Sequence, residues 1–200
     1  MEWGIIGAGL IGAKRAAALH SLGEKVSAVA DVDSGRAEEL ASKYSASSFS
    51  DWKKITRDGK IGAVVVATTH DWLSPIAIDA LDHGKHVLVE KPAGRNPAEV
   101  RAIINAQEKS GKQVAVGFNH RFHPAILEAR KICQSGKFGK LLFMRARGDY
   151  VRVNPGIFCS EYFGEFDHCR LGSCIRAVVN PHAGSPPARE IDYFAPSRLE

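Results

Sequence analysis

The segment Ala63–Ala67 reads Ala-Val-Val-Val-Ala and contains no polar side chain. A strand with one face in water alternates apolar and polar residues, whereas this run is apolar on both faces. Such runs are typical of parallel sheets that are covered by helices on both sides. The segment therefore predicts a parallel sheet and favours an α/β fold.

Short apolar runs and helical patterns alternate along roughly the first 117 residues. The clearest helical pattern is Pro97–Ser110, which stops before Gly111. Further strands are predicted at Glu2–Ile6, Val26–Ala30, His86–Val89 and Gln113–Val116. Further helices are predicted after Gly12 through Leu22, over Gly35–Tyr44 with Ser34 as its cap, and over Asp51–Ile55, Pro75–His83 and Pro124–Gln134. The alternation favours parallel βαβ units in a doubly wound sheet.

The composition excludes several classes of protein. The chain has 200 residues, 44% of them hydrophobic and 24% charged, so it is neither disordered nor collagen-like nor a coiled coil. Its net charge is +5, but no basic run is dense enough for a nucleic-acid arm. No apolar run reaches the roughly 18 residues of a membrane helix, and the N-terminus shows no secretory signal. We therefore expect a cytoplasmic chain that binds neither nucleic acid nor membrane, and we predict no metal site.

The first apolar run leads into Gly7-Ala8-Gly9-Leu10-Ile11-Gly12, a Gly-x-Gly-x-x-Gly pattern at the start of a helix. Gly7 allows a tight turn, Gly9 lets a phosphate approach the backbone, and Gly12 lets the helix pack closely on the strand. The helix N-terminus offers N–H groups and a partial positive charge. We therefore expect a nicotinamide dinucleotide to bind here, with Leu10 and Ile11 among the binding residues. A glycine-rich turn that binds nothing is the alternative.

The second strand ends at Asp31, 19 positions after Gly12. Its carboxylate is expected to accept hydrogen bonds from the adenosine ribose hydroxyls. A carboxylate repels a 2′-phosphate, so Asp31 favours NAD over NADP. Arg36 is near enough in sequence to turn to such a phosphate, which keeps NADP open. The simpler interpretation of Arg36 is a solvated helix residue.

Four further candidate residues follow strand ends. Glu90-Lys91-Pro92 comes directly after His86–Val89, and Thr68 and His70 follow Ala63–Ala67. The carboxyl ends of strands in an open parallel sheet border the crevice where ligands bind. Lys91 is therefore predicted beside the nicotinamide, where its ammonium group stabilises negative charge on a substrate oxygen. Glu90, Thr68 and His70 are predicted to contact the cofactor. A solvent-exposed lysine and a loop that only caps the next helix are the alternatives.

Residues 1 to about 150 resemble the Gfo/Idh/MocA oxidoreductases. The resemblance rests on Gly7–Gly12, Ala28–Asp31, Ala80–Pro92 with its Gly-Lys-His-Val-x-x-Glu-Lys-Pro stretch, Val116–Pro124 and Ser135–Lys140. It implies a Rossmann domain that binds a nicotinamide cofactor, followed by an α/β domain built on a large open sheet. It also implies hydride transfer to or from sugars, polyols or related carbonyl compounds, with Lys91 near the nicotinamide and the substrate.

One segment that the resemblance implies is not found in this sequence. Family members carry Asp-x-Gly-x-His-x-x-Asp, whose histidine exchanges the proton of the substrate hydroxyl, and the substitutes here are His120, His123 and His168. We therefore expect a truncated homologue with weak nucleotide binding, little or no turnover and doubtful oligomerisation. A non-catalytic protein that binds a nucleotide or a partner is the alternative.

The sequence predicts three regions. They are an NAD(P)-binding Rossmann domain over residues 1–123, the beginning of an incomplete second α/β domain over residues 124–153, and an atypical tail over residues 154–200. A strand is predicted at Leu141–Ala146. Prolines interrupt the tail, and its apolar residues hold neither a strand period nor a helix period. No element is therefore predicted there, and disorder is one interpretation.

Overall fold

Six parallel strands form one sheet in the computed structural model, which describes residues 1–136, 140–148, 173–180 and 189–195. The strands are β1 (Glu2–Ile6), β2 (Lys25–Ala30), β3 (Ser47–Phe49), β4 (Ala63–Val66), β5 (His86–Val89) and β6 (Val114–Val116). Their order in the sheet is β3-β2-β1-β4-β5-β6, and every neighbouring pair is parallel. This is a doubly wound Rossmann order, so the predicted fold class is confirmed.

Helices connect these strands and cover both faces of the sheet. They are α1 (Leu10–Ser21), α2 (Ser34–Ser42), α3 (Lys53–Thr56), α4 (His70–Asp82) and α5 (Pro97–Ser110). Val64 and Val66 pack in one apolar cluster with Leu73 of α4, whereas Val65 packs in a second cluster with Leu19 of α1. The three valines are fully buried. The apolar run of β4 is thus buried on both faces, as the sequence predicts.

Two helix starts differ from the predictions. Asp33, not Ser34, caps α2, because its Oδ1 accepts a hydrogen bond from the N–H of Arg36 at 3.2 Å. Helix α4 begins at His70, and Pro75 lies inside it. A proline removes one hydrogen bond from a helix. The burial of Leu73 and Ile76, which are 0% and 1% exposed, offsets that loss.

Strand β3 is not predicted by the sequence. It is three residues long, and its two serines are exposed. Its residues show no apolar run that would mark a strand. Pairing with β2 defines it, with Ala28 opposite Ser47 and Ala30 opposite Phe49. A short edge strand of this kind forms because it pairs with its neighbour in the sheet, here β2.

The chain divides into two units, Met1–Phe118 and Asn119–Glu200. The second unit contains a 3-10 helix at Asn119–Phe122 and helix α6 (Pro124–Gln134). Strands β7 (Lys140–Gly148), β8 (Ser173–Asn180) and β9 (Arg189–Ala195) form an antiparallel sheet in that order. The sequence predicts no element at β8 and β9. These strands are defined by their pairing, β8 with β7 and β9 with β8, and not by a periodic pattern of apolar residues.

The three-region division at residues 123 and 153 stays a prediction. The interpretation of the tail also concerns residues 154–172, 181–188 and 196–200, which lie outside the described residues. Within the described ranges, no helix has the length and hydropathy needed to cross a bilayer.

Candidate dinucleotide-binding site

The turn from β1 to α1 requires glycine at its first position. Gly7 has φ of +98°, which side chains with a Cβ rarely adopt. A Cβ there would overlap the carbonyl group of Ala67 and lie 3.0 Å from the backbone nitrogen of Thr68. The N–H of Gly7 also donates to the carbonyl oxygen of Ala30 at 2.8 Å. The turn is therefore fixed between the ends of β2 and β4.

Gly12 is closely packed, whereas Gly9 is open. A Cβ on Gly12 would overlap the carbonyl oxygen of Gly7 and lie 3.4 Å from the side chain of Ile5. Gly12 therefore lets α1 pack directly on β1, as predicted. A Cβ on Gly9 would have no atom of the described residues within 4 Å. The backbone at Gly9 is open to a ligand, and this open position fits the pyrophosphate of a dinucleotide.

The N-terminus of α1 is also open. No described side chain caps it, and its first turn holds no acidic residue. Leu10 and Ile11, the first two residues of the helix, are 64% and 43% exposed. By contrast, the side chain of Asn96 caps α5 by accepting from the N–H of Glu99 at 3.0 Å. The start of α1 can therefore offer N–H groups and a partial positive charge to an anion.

Asp31 lies directly beside this turn. Its carboxylate Oδ2 accepts a hydrogen bond from the N–H of Ala8 at 2.7 Å, and its Oδ1 accepts from the N–H of Asp33 at 2.9 Å. The side chain is 9% exposed. Two backbone donors thus orient the carboxylate at the end of β2, next to the glycine turn.

Arg36 reaches the same carboxylate from α2. Its Nη2 lies 3.3 Å from Oδ1 of Asp31, and its Nε lies 3.2 Å from Oδ2 of Asp33. The Arg36 side chain is 53% exposed. This exposure is compatible with a solvated side chain and with one that turns to a phosphate. The role of Arg36 therefore stays a prediction.

The end of β4 carries Thr68 and His70. Thr68 is half-buried, and its hydroxyl donates to the carbonyl oxygen of Thr69 at 3.3 Å. His70 is exposed and begins α4. A hydrogen bond from the Thr69 side chain lowers the pKa of Asp71, so the first turn of α4 holds a negative charge at neutral pH. Thr68 and His70 thus follow β4 at the carboxyl edge of the sheet, the edge that also carries the glycine turn.

Lys91 is exposed and follows the end of β5, and its peptide bond to Pro92 is cis. Glu90, just before it, is 8% exposed. The Glu90 Oε1 accepts from Nε of Arg15 at 2.7 Å and also from Nη2 of Arg15. The backbone N–H of Glu90 donates to the carbonyl oxygen of Val66 at 2.9 Å. The carboxylate of Glu90 is thus held by a cation of α1, and its predicted contact with a cofactor stays a prediction.

Two residues of the site were not identified by sequence reasoning. Arg15 lies three positions after Gly12 on α1 and pairs with Glu90 across 75 positions of sequence. A Cβ on Gly117 would lie 2.7 Å from Oε2 and 2.8 Å from Oε1 of Glu90. For Arg15 the available signal was that a buried glutamate requires a compensating cation, and no sequence signal marked Gly117. The sequence does not show which cation that is.

The structure brings the predicted residues of four strand ends to one edge of the sheet. Strand β1 ends at the glycine turn, β2 at Asp31, and β5 at Glu90 and Lys91. Thr68 and His70 follow β4, the strand between β1 and β5. Of the substitute histidines, His120 and His123 belong to the second unit, and His168 lies outside the described residues.

Comparisons with known proteins agree with this geometry. The model of a family described as an oxidoreductase family with an NAD-binding Rossmann fold matches residues 1–118. Inositol 2-dehydrogenase of Salmonella paratyphi B is 30% identical over 152 residues, which are 74% of this chain and 45% of that protein. The trans-1,2-dihydrobenzene-1,2-diol dehydrogenase of Mus musculus is 34% identical over 150 residues, 73% of this chain and 45% of that protein.

A solved structure shows the same likeness. Levoglucosan dehydrogenase, in complex with NADH and levoglucosan, superposes with a TM-score of 0.69 at 29% identity. The superposition covers 74% of this chain and 43% of that one. The chain spans about 45% of the length of the two curated relatives named above.

Proposed function

The chain belongs to the Gfo/Idh/MocA oxidoreductases, a family with an NAD-binding Rossmann fold, and we propose that it is the dinucleotide-binding part of a dehydrogenase. The proposed substrates are sugars, polyols or related carbonyl compounds. Two of the relatives support this proposal, because they are named for the dehydrogenation of inositol and of a cyclic diol. The observation that carries it is the open backbone at Gly9 beside the oriented carboxylate of Asp31.

Different residues of this chain bind different parts of the dinucleotide. The N–H groups at the start of α1 hold the pyrophosphate, where Gly9 leaves room and Leu10 and Ile11 lie exposed. The carboxylate of Asp31 accepts hydrogen bonds from the adenosine ribose hydroxyls. Thr68 and His70 border the nicotinamide half of the site from the end of β4.

A bound nicotinamide dinucleotide supplies a hydride acceptor for a hydroxyl carbon or a hydride donor for a carbonyl carbon. Lys91 donates a hydrogen bond to the substrate oxygen and stabilises the negative charge that develops on it. The cofactor we propose is NAD, because the Asp31 carboxylate repels a 2′-phosphate. NADP is the alternative, because Arg36, whose Nη2 lies 3.3 Å from Oδ1 of Asp31, is near enough to turn to a 2′-phosphate.

Hydride transfer also needs a group that exchanges the hydroxyl proton. The sequence lacks the Asp-x-Gly-x-His-x-x-Asp segment that supplies it in the family, so we expect little or no turnover from this chain. That absence favours a second candidate function, a nucleotide-binding protein without catalysis. A cytoplasmic location and doubtful oligomerisation stay predictions.

A fluorescence titration with NADH and a parallel assay of NAD reduction on a panel of polyols test the proposal. The test variant is Asp31→Asn, which keeps an acceptor for the N–H of Ala8 but removes the charge. We expect saturable NADH binding that weakens about tenfold in Asp31→Asn, since a hydrogen bond to a charged group contributes about 1.5–3 kcal/mol. Binding with robust turnover supports the enzyme, and binding without turnover supports the second candidate. No affinity for either nicotinamide coenzyme overturns both.

A further inference from the structure

The ion pair between Arg15 and Glu90 lies below the surface of the proposed site. The side chains are 20% and 10% exposed, whereas those of the pair Lys43–Glu39 on α2 are 56% and 72% exposed. Removing two charges from water is costly, so a buried ion pair is weak evidence of added stability. A role in positioning explains the pair better than a role in stability does.

The pair connects two elements that are not neighbours in the sheet. Arg15 belongs to α1, which follows β1, and Glu90 follows β5. Strand β4 lies between β1 and β5, so the pair spans the carboxyl end of β4. Both Nε and Nη2 of Arg15 donate to Oε1 of Glu90, which defines the direction of the carboxylate as well as its distance.

The backbone around Glu90 is held from several sides. Its N–H donates to the carbonyl oxygen of Val66 at 2.9 Å, and its carbonyl oxygen accepts from the N–H of Ala93 at 2.9 Å. The N–H of Gly117 donates to the carbonyl oxygen of Val89 at 2.8 Å, and a Cβ at Gly117 would lie 2.7 Å from Oε2 of Glu90, so a side chain there would displace this carboxylate. The residue that follows this fixed point is the exposed Lys91.

We propose that Arg15 and Glu90 are positioning residues that align Lys91 with a dinucleotide held at the N-terminus of α1. Arg15 lies on the helix that holds the pyrophosphate, and Glu90 is covalently joined to Lys91. The helix and the lysine therefore keep a constant separation across the end of β4. This inference rests on the proposed function, because it assumes that a dinucleotide binds at α1.

The test compares two ligands, ADP-ribose and NADH. ADP-ribose is the dinucleotide without its nicotinamide ring, and calorimetry measures its affinity. NADH also occupies the nicotinamide half, and its protection of Lys91 against acetylation, measured by mass spectrometry, reports where Lys91 lies. The variants are Glu90→Gln, Arg15→Lys, and the uncharged double variant Arg15→Gln with Glu90→Gln. The matched control is Glu39→Gln with Lys43→Gln on α2.

In the wild-type chain we expect NADH to protect Lys91. In Glu90→Gln and in the double variant, we expect protection to fall by about five- to tenfold, in the range of coupling between residues in contact. ADP-ribose affinity is expected to stay within about twofold of the wild type, because Asp31 and the glycine turn are unchanged. Arg15→Lys keeps the charge without the planar fork, so partial protection is expected. The α2 control is expected to match the wild type.

Circular dichroism melts show which variants fold, and the uncharged double variant avoids a buried unpaired charge if Glu90→Gln alone fails. Wild-type protection of Lys91 in a folded double variant would overturn the inference and leave the proposed function standing. An equal loss of ADP-ribose and NADH affinity would also overturn it, since the pair would then only support α1. If the wild-type chain binds neither ligand, the inference and the proposed function fail together.

Discussion

The two edges of the parallel sheet use charge in opposite ways. At the amino edge, Glu2 accepts from Nζ of Lys25 at 2.7 Å, and Glu24 accepts from the indole N–H of Trp3 at 3.0 Å. Nζ of Lys85 donates there to the carbonyl oxygen of Asp58 at 2.6 Å. At the carboxyl edge, the start of α1 has no side-chain cap among the described residues, and the backbone at Gly9 is open.

One sheet can therefore satisfy its charges at one edge and leave backbone groups accessible at the other. Each of these charged side chains at the amino edge has a hydrogen-bond partner within the chain, and the hydrogen bond from Lys25 lowers the pKa of Glu2. The carboxyl edge keeps its donors on the backbone, where a dinucleotide can reach them. Its buried pair, Arg15 and Glu90, lies beneath that surface. The following predictions test this contrast.

The largest effects are expected from alanine at two glycines of the same turn, on stability for Gly12→Ala and on NADH affinity for Gly9→Ala. Gly12→Ala places a methyl group against the carbonyl oxygen of Gly7, so the free energy of unfolding should fall by about 1–3 kcal/mol. Gly9→Ala places its methyl group in open space, so stability should stay near that of the wild type while NADH affinity falls. Chemical denaturation and NADH titration measure both. A Gly9→Ala variant that binds NADH normally would show that the open position is not the ligand site.

A smaller effect is expected from Arg36→Ala. If Arg36 supplies a counter-charge to a 2′-phosphate, NADPH affinity should fall about tenfold, and NADH affinity should change less than about twofold. The guanidinium already lies 3.3 Å from the Asp31 carboxylate. Competitive titration with both coenzymes measures the ratio. The control is Lys112→Ala, which removes one positive charge beside Lys85 at the amino edge, and an equal loss of NADPH affinity there would reject a specific role for Arg36.

The closed amino edge predicts a pH effect at Lys85. Lys85 is 5% exposed, and burial lowers its pKa below the ordinary value of 10.5. The unfolded chain therefore binds more protons between the folded pKa and 10.5, and the contribution of Lys85 to stability rises with pH over that interval. The unfolding free energy of wild type minus that of Lys85→Met should increase from pH 7 toward about pH 10. Parallel pH curves for the two proteins would contradict this.

The smallest effect is expected at the capped start of α5. Arg95 donates to Glu99 through its side chain and its N–H, which lowers the pKa of Glu99 below 4.5. The stabilisation is therefore present above pH 4.5 and lost as the pH falls through the folded pKa. Glu99→Gln should lower the Tm at neutral pH, and the deficit should shrink in acid. Glu108→Gln on the same helix controls for the loss of one negative charge, and a deficit that stays constant in acid would argue against this linkage.

Much of the fold and part of the site could be predicted from local patterns. The apolar run at β4, the glycine spacing and the acidic residue that ends β2 are local features, and local chemistry decides them. Helix α5 was predicted to the residue from its apolar spacing and from Gly111 at its end, whereas the cap at Asn96 was seen only in the structure. Strand β3 and the start of α4 were not predicted, because packing against neighbours outweighs their local sequence.

Residue types and their spacing predict the parallel sheet, the alternation of strands and helices along the chain, and the glycine turn between β1 and α1. Only the tertiary structure decided that Asp31 is oriented by the N–H of Ala8 and that Glu90 pairs with Arg15. These pairs are 23 and 75 positions apart. Contacts of that kind depend on which strand ends lie side by side, and that order exists only once the sheet has formed.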